Sequence, residues 1–207
     1  MMSDSVDESA LRSQRIKLLV ILGIFALPVI LASLWHANSD SWRPSDTSNY
    51  GELIIPVKNF TAFTMPALDG TAVTDDFLRG RWTLVYIGAA ECDEICRTSL
   101  YNMRQIRLAL NEKMDRVQRL WVLSDNHGSD QLSTLLNEHP GLKVAQPDSA
   151  TRDEFLKQFS DDAGMPVTGR VYVVDPLGNL MMRYPSDANP KRMLKDIEKL
   201  LKASWIG

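Results

Sequence analysis

The chain has 207 residues, 44% of them hydrophobic and 24% charged, with a formal net charge of -3. Such near-average usage excludes wholesale disorder and collagen-like repetition, and the slight acidity excludes broad nucleic-acid backbone binding, which needs clustered Lys and Arg. Two cysteines and three histidines are too few for a disulfide-stapled scaffold or a four-thiolate zinc site, so whatever the cysteines do, they do as one pair.

Residues 18–35, LLVILGIFALPVILASLW, carry no charge and are at the short end of what an α-helix needs to span a bilayer. The stretch exceeds the apolar part of a signal peptide and matches a cleavage site poorly around Ser33 to Ala37, so it reads as an uncleaved anchor. Pro28 inside it is tolerable as a kink. Arg12, Arg15 and Lys17 precede the run and the first cation after it is Arg43, which places the N-terminus in the cytoplasm. Trp35 and Trp42 suit the outer interface, and the acidic, Ser-rich MMSDSVDESA is unlike a mitochondrial leader. The expectation is a single-pass bacterial inner-membrane protein with a cytoplasmic tail (1–17), an anchor (18–36), a polar linker (37–52) and a periplasmic domain (53–207). That compartment permits disulfides.

In the exported part, FTAFTMPALDGTAVT alternates around Asp69-Gly70, a hairpin signal. WTLVYIG (Trp82 to Gly88) reads as a buried strand. From Thr98 to Met114 the residues Leu100, Met103, Ile106, Leu110 and Met114 recur at helical spacing. VQRLWVLSD (117–125) reads as a strand, helical patterns at about 130–138 and 150–160 flank LKVAQ (142–146), and VYVVD (171–175) with LMMRY (180–184) forms a second hairpin around PLGN. Met181 and Met182 should point to opposite faces of that strand. A helix from about Pro190 to Ala203 closes the chain. Strands alternating with helices predict an α/β sheet covered on both faces, in the order of a thioredoxin-like fold with an N-terminal β-hairpin extension.

Cys92 and Cys96 lie in GAAECDEICRTSL, between a predicted strand and a predicted helix. Such a junction aims backbone N–H groups and the positive end of the helix dipole at the sulfurs, which favours the thiolate, both nucleophile and soft metal ligand. Residues four apart there share a face with Cα atoms roughly 6 Å apart, a span that a disulfide or a shared copper(I) ion bridges. Glu91, Asp93 and Glu94 oppose the thiolates, and Arg97 is the one adjacent cation, so the expected couple is weakly oxidising. The bland alternative is one inert disulfide or two buried thiols.

FTMPALDGTAVTDDFLRGRWTLVYIGAAECDEICRTSLYNMRQI, together with VYVVDPLGNL, resembles the Sco/SenC family of membrane-anchored, thioredoxin-fold proteins over most of residues 60–203. The likeness rests on Cys-x3-Cys, the hairpin before it and a strand ending in Asp-Pro-x-Gly. It implies a role in maturing the copper centre of cytochrome c oxidase, by carrying copper(I) or by keeping the oxidase's cysteines reduced, with an oxidase subunit or another periplasmic redox or copper protein as partner. Two features depart from the family pattern. Its prolines after the cysteines are Asp93 and Arg97 here, and its copper-ligating histidine falls at Val167 or Thr168, with no histidine beyond His139. Met165 is a candidate soft replacement, or core filling. The resemblance also suggests a cis bond at Met165-Pro166, while His127 and His139 read as surface residues. The missing histidine favours thiol–disulfide exchange with Cys92 attacking and Cys96 resolving. A copper(I) chaperone using Cys92 and Cys96, with or without Met165, and a non-catalytic assembly factor with a structural disulfide, are the other readings.

Overall fold

An apolar run of membrane length forms a helix because only internal hydrogen bonding satisfies its backbone in lipid. In the computed structural model, which describes residues 8–37, 48–125, 131–160 and 164–206, this helix is α1 (Glu8–Ala37). Its segment Arg12–Leu34 has a mean hydropathy of 2.5 and is long and apolar enough to cross a membrane, at about 34 Å against a hydrocarbon core of about 30 Å. The large apolar side chains from Leu18 to Leu34 are exposed. Contacts divide the chain into this unit and a second one, Ser48–Gly207.

The second unit contains β1 (Glu52–Asn59), β2 (Thr64–Pro66), β3 (Ala72–Thr74), β4 (Trp82–Gly88), α2 (Glu94–Ala109), β5 (Val117–Leu123), α3 (Gln131–Glu138), β6 (Leu142–Ala145), α4 (Ser149–Lys157), β7 (Arg170–Val174), β8 (Asn179–Tyr184) and α5 (Pro190–Ala203). Six strands form one sheet in the order β1-β8-β7-β4-β5-β6, and β2-β3 is a separate ribbon around Asp69-Gly70. β4 pairs with β5 in parallel and with β7 antiparallel. It is buried at all seven positions, so its side chains divide between two apolar layers. Trp82, Leu84 and Tyr86 join Leu100, Met103 and Ile106 of α2, Leu135 of α3 and Ile197 and Leu201 of α5. Val85 and Ile87 join Met65 and Val73 of the ribbon and Phe155 of α4. Phe60, Phe63, Phe155, Phe159 and Tyr172 extend that second layer, with ring centroids 4.8 to 6.2 Å apart. The α/β, thioredoxin-like sheet flanked by helices is as expected from the element order.

β1 has no counterpart among the predicted elements. Pro56 interrupts its sequence, and a proline is tolerated here because β1 is an edge strand whose pairing with β8 is irregular between Leu53 and Lys58. The expected alternation of Met181 and Met182 fails. The β7–β8 register slips at Met181, and the bulge leaves both methionines packed on the α2 side. The Asp175 turn is held by its own carboxylate, whose Oδ1 accepts from the N–H groups of Leu177 and Asn179 at 2.9 and 2.8 Å.

A buried carboxylate fastens the start of the second unit. Asp196 of α5 is 1% exposed, and its Oδ2 accepts from the Tyr50 and Gly51 N–H groups, both at 2.9 Å, and from the Tyr184 hydroxyl at 3.0 Å. Burial and the Asp196 charge hold the Tyr184 phenol well above its ordinary range. A Cβ on Gly51 would stand 2.5 Å from the Met182 sulfur and 2.6 Å from the Tyr184 ring, so only glycine fits. The Tyr50 ring lies 5.2 Å from the Arg192 guanidinium and 5.7 Å from the Lys199 ammonium. Asp196→Ala would strand three donors and should cost about 3 kcal/mol in denaturant unfolding of the Ser48–Gly207 unit. A loss below about 0.5 kcal/mol, ordinary for an inconsequential surface change, would refute this anchoring role.

Candidate redox site at the end of the central strand

The last residue of β4 begins the site. A Cβ on Gly88 would lie 2.6 Å from the Tyr86 ring, so glycine lets that ring fold beneath the loop. The Gly88 carbonyl accepts from the Ser124 N–H at 2.9 Å and the Trp121 indole at 3.3 Å, and the Ala90 N–H donates to Asp125 Oδ1 at 3.0 Å. The end of β5 thus holds the loop that carries Cys92.

Asp93 then caps α2. Its Oδ1 accepts from the Cys96 N–H at 2.8 Å, and its carbonyl accepts from the Arg97 N–H at 2.9 Å. This places Cys92 just outside the helix and Cys96 in its first turn. The Cα atoms are 5.2 Å apart and the sulfurs form a disulfide. Cys92 is half-buried while Cys96 is 3% exposed. Arg97 Nε donates to the Cys92 carbonyl at 3.2 Å. Glu91, Asp93 and Glu94 are exposed beside the pair.

A cleft of about 430 Å³ opens over Cys96. Tyr86, Gly88 and Ser124 form part of its lining, and Pro166, Thr168, Gly169 and Arg170 bring in the segment before β7. That segment is drawn in by the Gly169 N–H, which donates to the Ile87 carbonyl at 2.8 Å, and by the Tyr172 hydroxyl, which donates to the Val167 carbonyl at 2.9 Å. Burial, with the Asp93 charge behind it, pushes the Tyr86 phenol up to about 12.

The structure brings together only some of the residues singled out above. Of the two positions where the family's histidine would fall, Thr168 lines the cleft and Val167 packs into the second apolar layer. Met165 is 39% exposed and is not part of the cleft lining; its sulfur accepts from Arg170 Nη2 at 3.7 Å. The cis bond expected at Met165-Pro166 is absent, since the one cis peptide among the described residues is Ile55-Pro56. The left-handed Gly169, φ +75°, turns the chain into β7 instead. His139 is not a surface residue: it is 4% exposed, and burial and the Arg119 and Arg104 guanidiniums hold its imidazole below the usual range. His127 lies outside the described residues. Among those described, no three His, Cys, Asp or Glu side chains converge as a metal site. Tyr86, Ser124 and Thr168 were not predicted as site residues; the spacing to Asp175 was the only signal for any of them.

The reduced pair would offer copper(I) two thiolates, but the opposing wall presents Thr168, Gly169 and Arg170, with no soft donor among them. A three-ligand set is therefore not present among the described cleft residues. What the arrangement can do without further ligands is open and reclose one disulfide, with the more accessible sulfur on the outside.

The sequence has no match among curated proteins. The fold is shared with yeast Sco1 with copper bound (TM-score 0.60, 19% identity, 71% of this chain and 94% of that one). It is likewise shared with apo Sco1 from Thermus thermophilus (TM-score 0.60, 19% identity, 76% and 99%). A third neighbour is BsSco, described as a cytochrome c oxidase assembly protein of the Sco family with a disulfide switch (TM-score 0.54, 18% identity, 72% and 96%). The Sco/SenC resemblance thus holds at the level of the fold. Residues 82–204, more than half of the chain, match the family described as transmembrane-like, thioredoxin-like, C-terminal domain, and this protein belongs to that family.

Proposed function

We propose that the chain is a membrane-anchored periplasmic thiol–disulfide exchange protein that assists assembly of a respiratory cytochrome c oxidase in the bacterial inner membrane. The observation that carries the reading is the Cys92–Cys96 disulfide at a strand-to-helix junction, half-exposed at Cys92, buried at Cys96 and facing a cleft. The cation bias before α1 supports the orientation, and the Sco neighbours support the client class.

In the reduced form the Cys92 thiolate attacks one sulfur of a client disulfide, and the displaced client thiolate takes up a proton. Cys96, deprotonated in its turn, attacks Cys92 Sγ and releases the second client thiol. Two electrons pass to the client and the Cys92–Cys96 disulfide re-forms. A dithiol reductant on the same side of the membrane resets the pair. Copper(I) carriage by Cys92 and Cys96 is the second reading, supported by the copper-bound yeast neighbour, with copper as cargo held by two thiolates.

Cys92→Ser should lower the reduction rate of a disulfide substrate by roughly 100-fold or more, whereas Cys96→Ser should accumulate the mixed disulfide, visible on a non-reducing gel. A Cys92→Ser protein that works at the wild-type rate overturns the assignment. Asp93→Asn keeps an oxygen for the helix cap but removes a negative charge beside both sulfurs. Its reduction potential, measured against glutathione, should become less negative by roughly 30 mV, equivalent to about 1.4 kcal/mol for two electrons; an unchanged potential would dismiss that electrostatic role. Anaerobic copper(I) titration of the reduced full chain against a competing chelator should give weak binding. Stoichiometric binding that disappears when both cysteines are changed to serine would promote the carrier reading instead.

A further inference from the structure

Helices α2 and α3 border a second cavity of about 300 Å³, lined in part by Arg97 and Arg104 of α2 and by Glu138 and His139 at the end of α3. Three buried nitrogens there and just behind lack a hydrogen-bond partner among the described residues: Nδ1 of His139, and Nε and Nη1 of Arg119. Both residues are more than nine-tenths buried, at 4% and 3% exposure. Arg119 comes from β5, and its Nη2 alone is used, donating to the Pro140 carbonyl at 2.6 Å. Arg104 makes no hydrogen bond or ion pair among the described residues. Arg107, by contrast, is already occupied by Asp115 and the Val117 carbonyl at 2.9 and 2.8 Å.

Unmet buried polar nitrogens are costly, and a cluster of them beside a solvent-open cavity calls for ordered water or a bound ion to complete it. The sign of that ligand follows from the charges. Burial above all, with the nearby Arg107 and Arg104 adding to it, presses the Arg119 guanidinium down to about 10, the cost of enclosing a cation close to other cations. Among the described residues Glu138 is the only carboxylate in the lining. We propose that this cavity binds a small oxyanion, a carboxylate or a phosphate group, held by Arg104 and His139 with Arg119 behind them. Guanidinium and imidazole N–H donors suit such oxygens, and the cavity has room for one group of that size. Arg97, which lines the cavity and also donates to the Cys92 carbonyl, joins it to the redox loop. The inference does not rest on the redox reading.

The test uses the full chain in a neutral detergent, with isotope-labelled histidine rings. Three histidines give three imidazole signals, and His139→Gln identifies one by its loss. Inorganic phosphate and succinate are titrated separately at constant ionic strength. The expected result is a saturable shift of the His139 signal with a Kd below roughly 10 mM for at least one ion, weakened at least about tenfold by Arg104→Ala. The ion that binds tighter identifies the group. Shifts that stay linear through roughly 10 mM of both ions overturn the proposal, as does an affinity that Arg104→Ala leaves within about tenfold of wild type. Because Arg104 is half-exposed and without bonding partners among the described residues, its loss does not threaten the fold.

Discussion

β4 has no free edge and no free face, and the rest of the domain is arranged around that constraint. Its hydrogen bonds are taken by β5 and β7, and its side chains need apolar cover on both sides. The helices α2 and α5 supply one cover, and the β2–β3 ribbon with α4 supplies the other. A strand held on four sides ends in a well-defined place. The loop after Gly88 therefore starts from a fixed point, is tied to Ser124 and Asp125, and delivers Cys92 to within 5.2 Å of Cys96.

The helix cap at this junction serves two ends that oppose each other. Asp93 satisfies the Cys96 N–H and so starts α2 cleanly. The same carboxylate occupies a donor that would otherwise be directed at a thiolate, and adds a negative charge beside the pair. Both effects favour the disulfide over the dithiolate. A pair tuned this way gives up electrons readily, which agrees with a role in reducing a client. The anchor α1 would keep such a protein in the plane of its membrane client, raising the effective concentration without further contacts.

Conservative-looking features prove to have unequal weight once burial is known. Cys92 and Cys96 differ in exposure although they share a motif, and His139 passes for a loop residue in sequence but is enclosed beside Arg119. Met165 has suitable chemistry for copper, yet it stands on an exposed stretch where Arg170 engages its sulfur. Thr168 offers copper(I) no soft donor, yet it faces the cleft because Gly169 is bonded to the end of β4.

Much of the architecture is local and could be read from the chain. The apolar run of α1, the seven residues of β4, the spacing along α2, the Asp69-Gly70 ribbon and the Pro190 start of α5 each carry their own period or turn chemistry. The pairing of Cys92 with Cys96 is local in the same sense, since four residues at a helix start set the distance. Long-range contacts decided the rest. β1 exists because β8 offers an edge that tolerates Pro56, the bulge at Met181 arises from a register between two strands, and Asp196 is meaningful only through Tyr50, Gly51 and Tyr184. The cleft and the cationic cavity are likewise assembled from segments far apart in sequence. Their composition depends on which residues packing leaves unburied or unpaired, a property of the folded whole that no periodicity encodes.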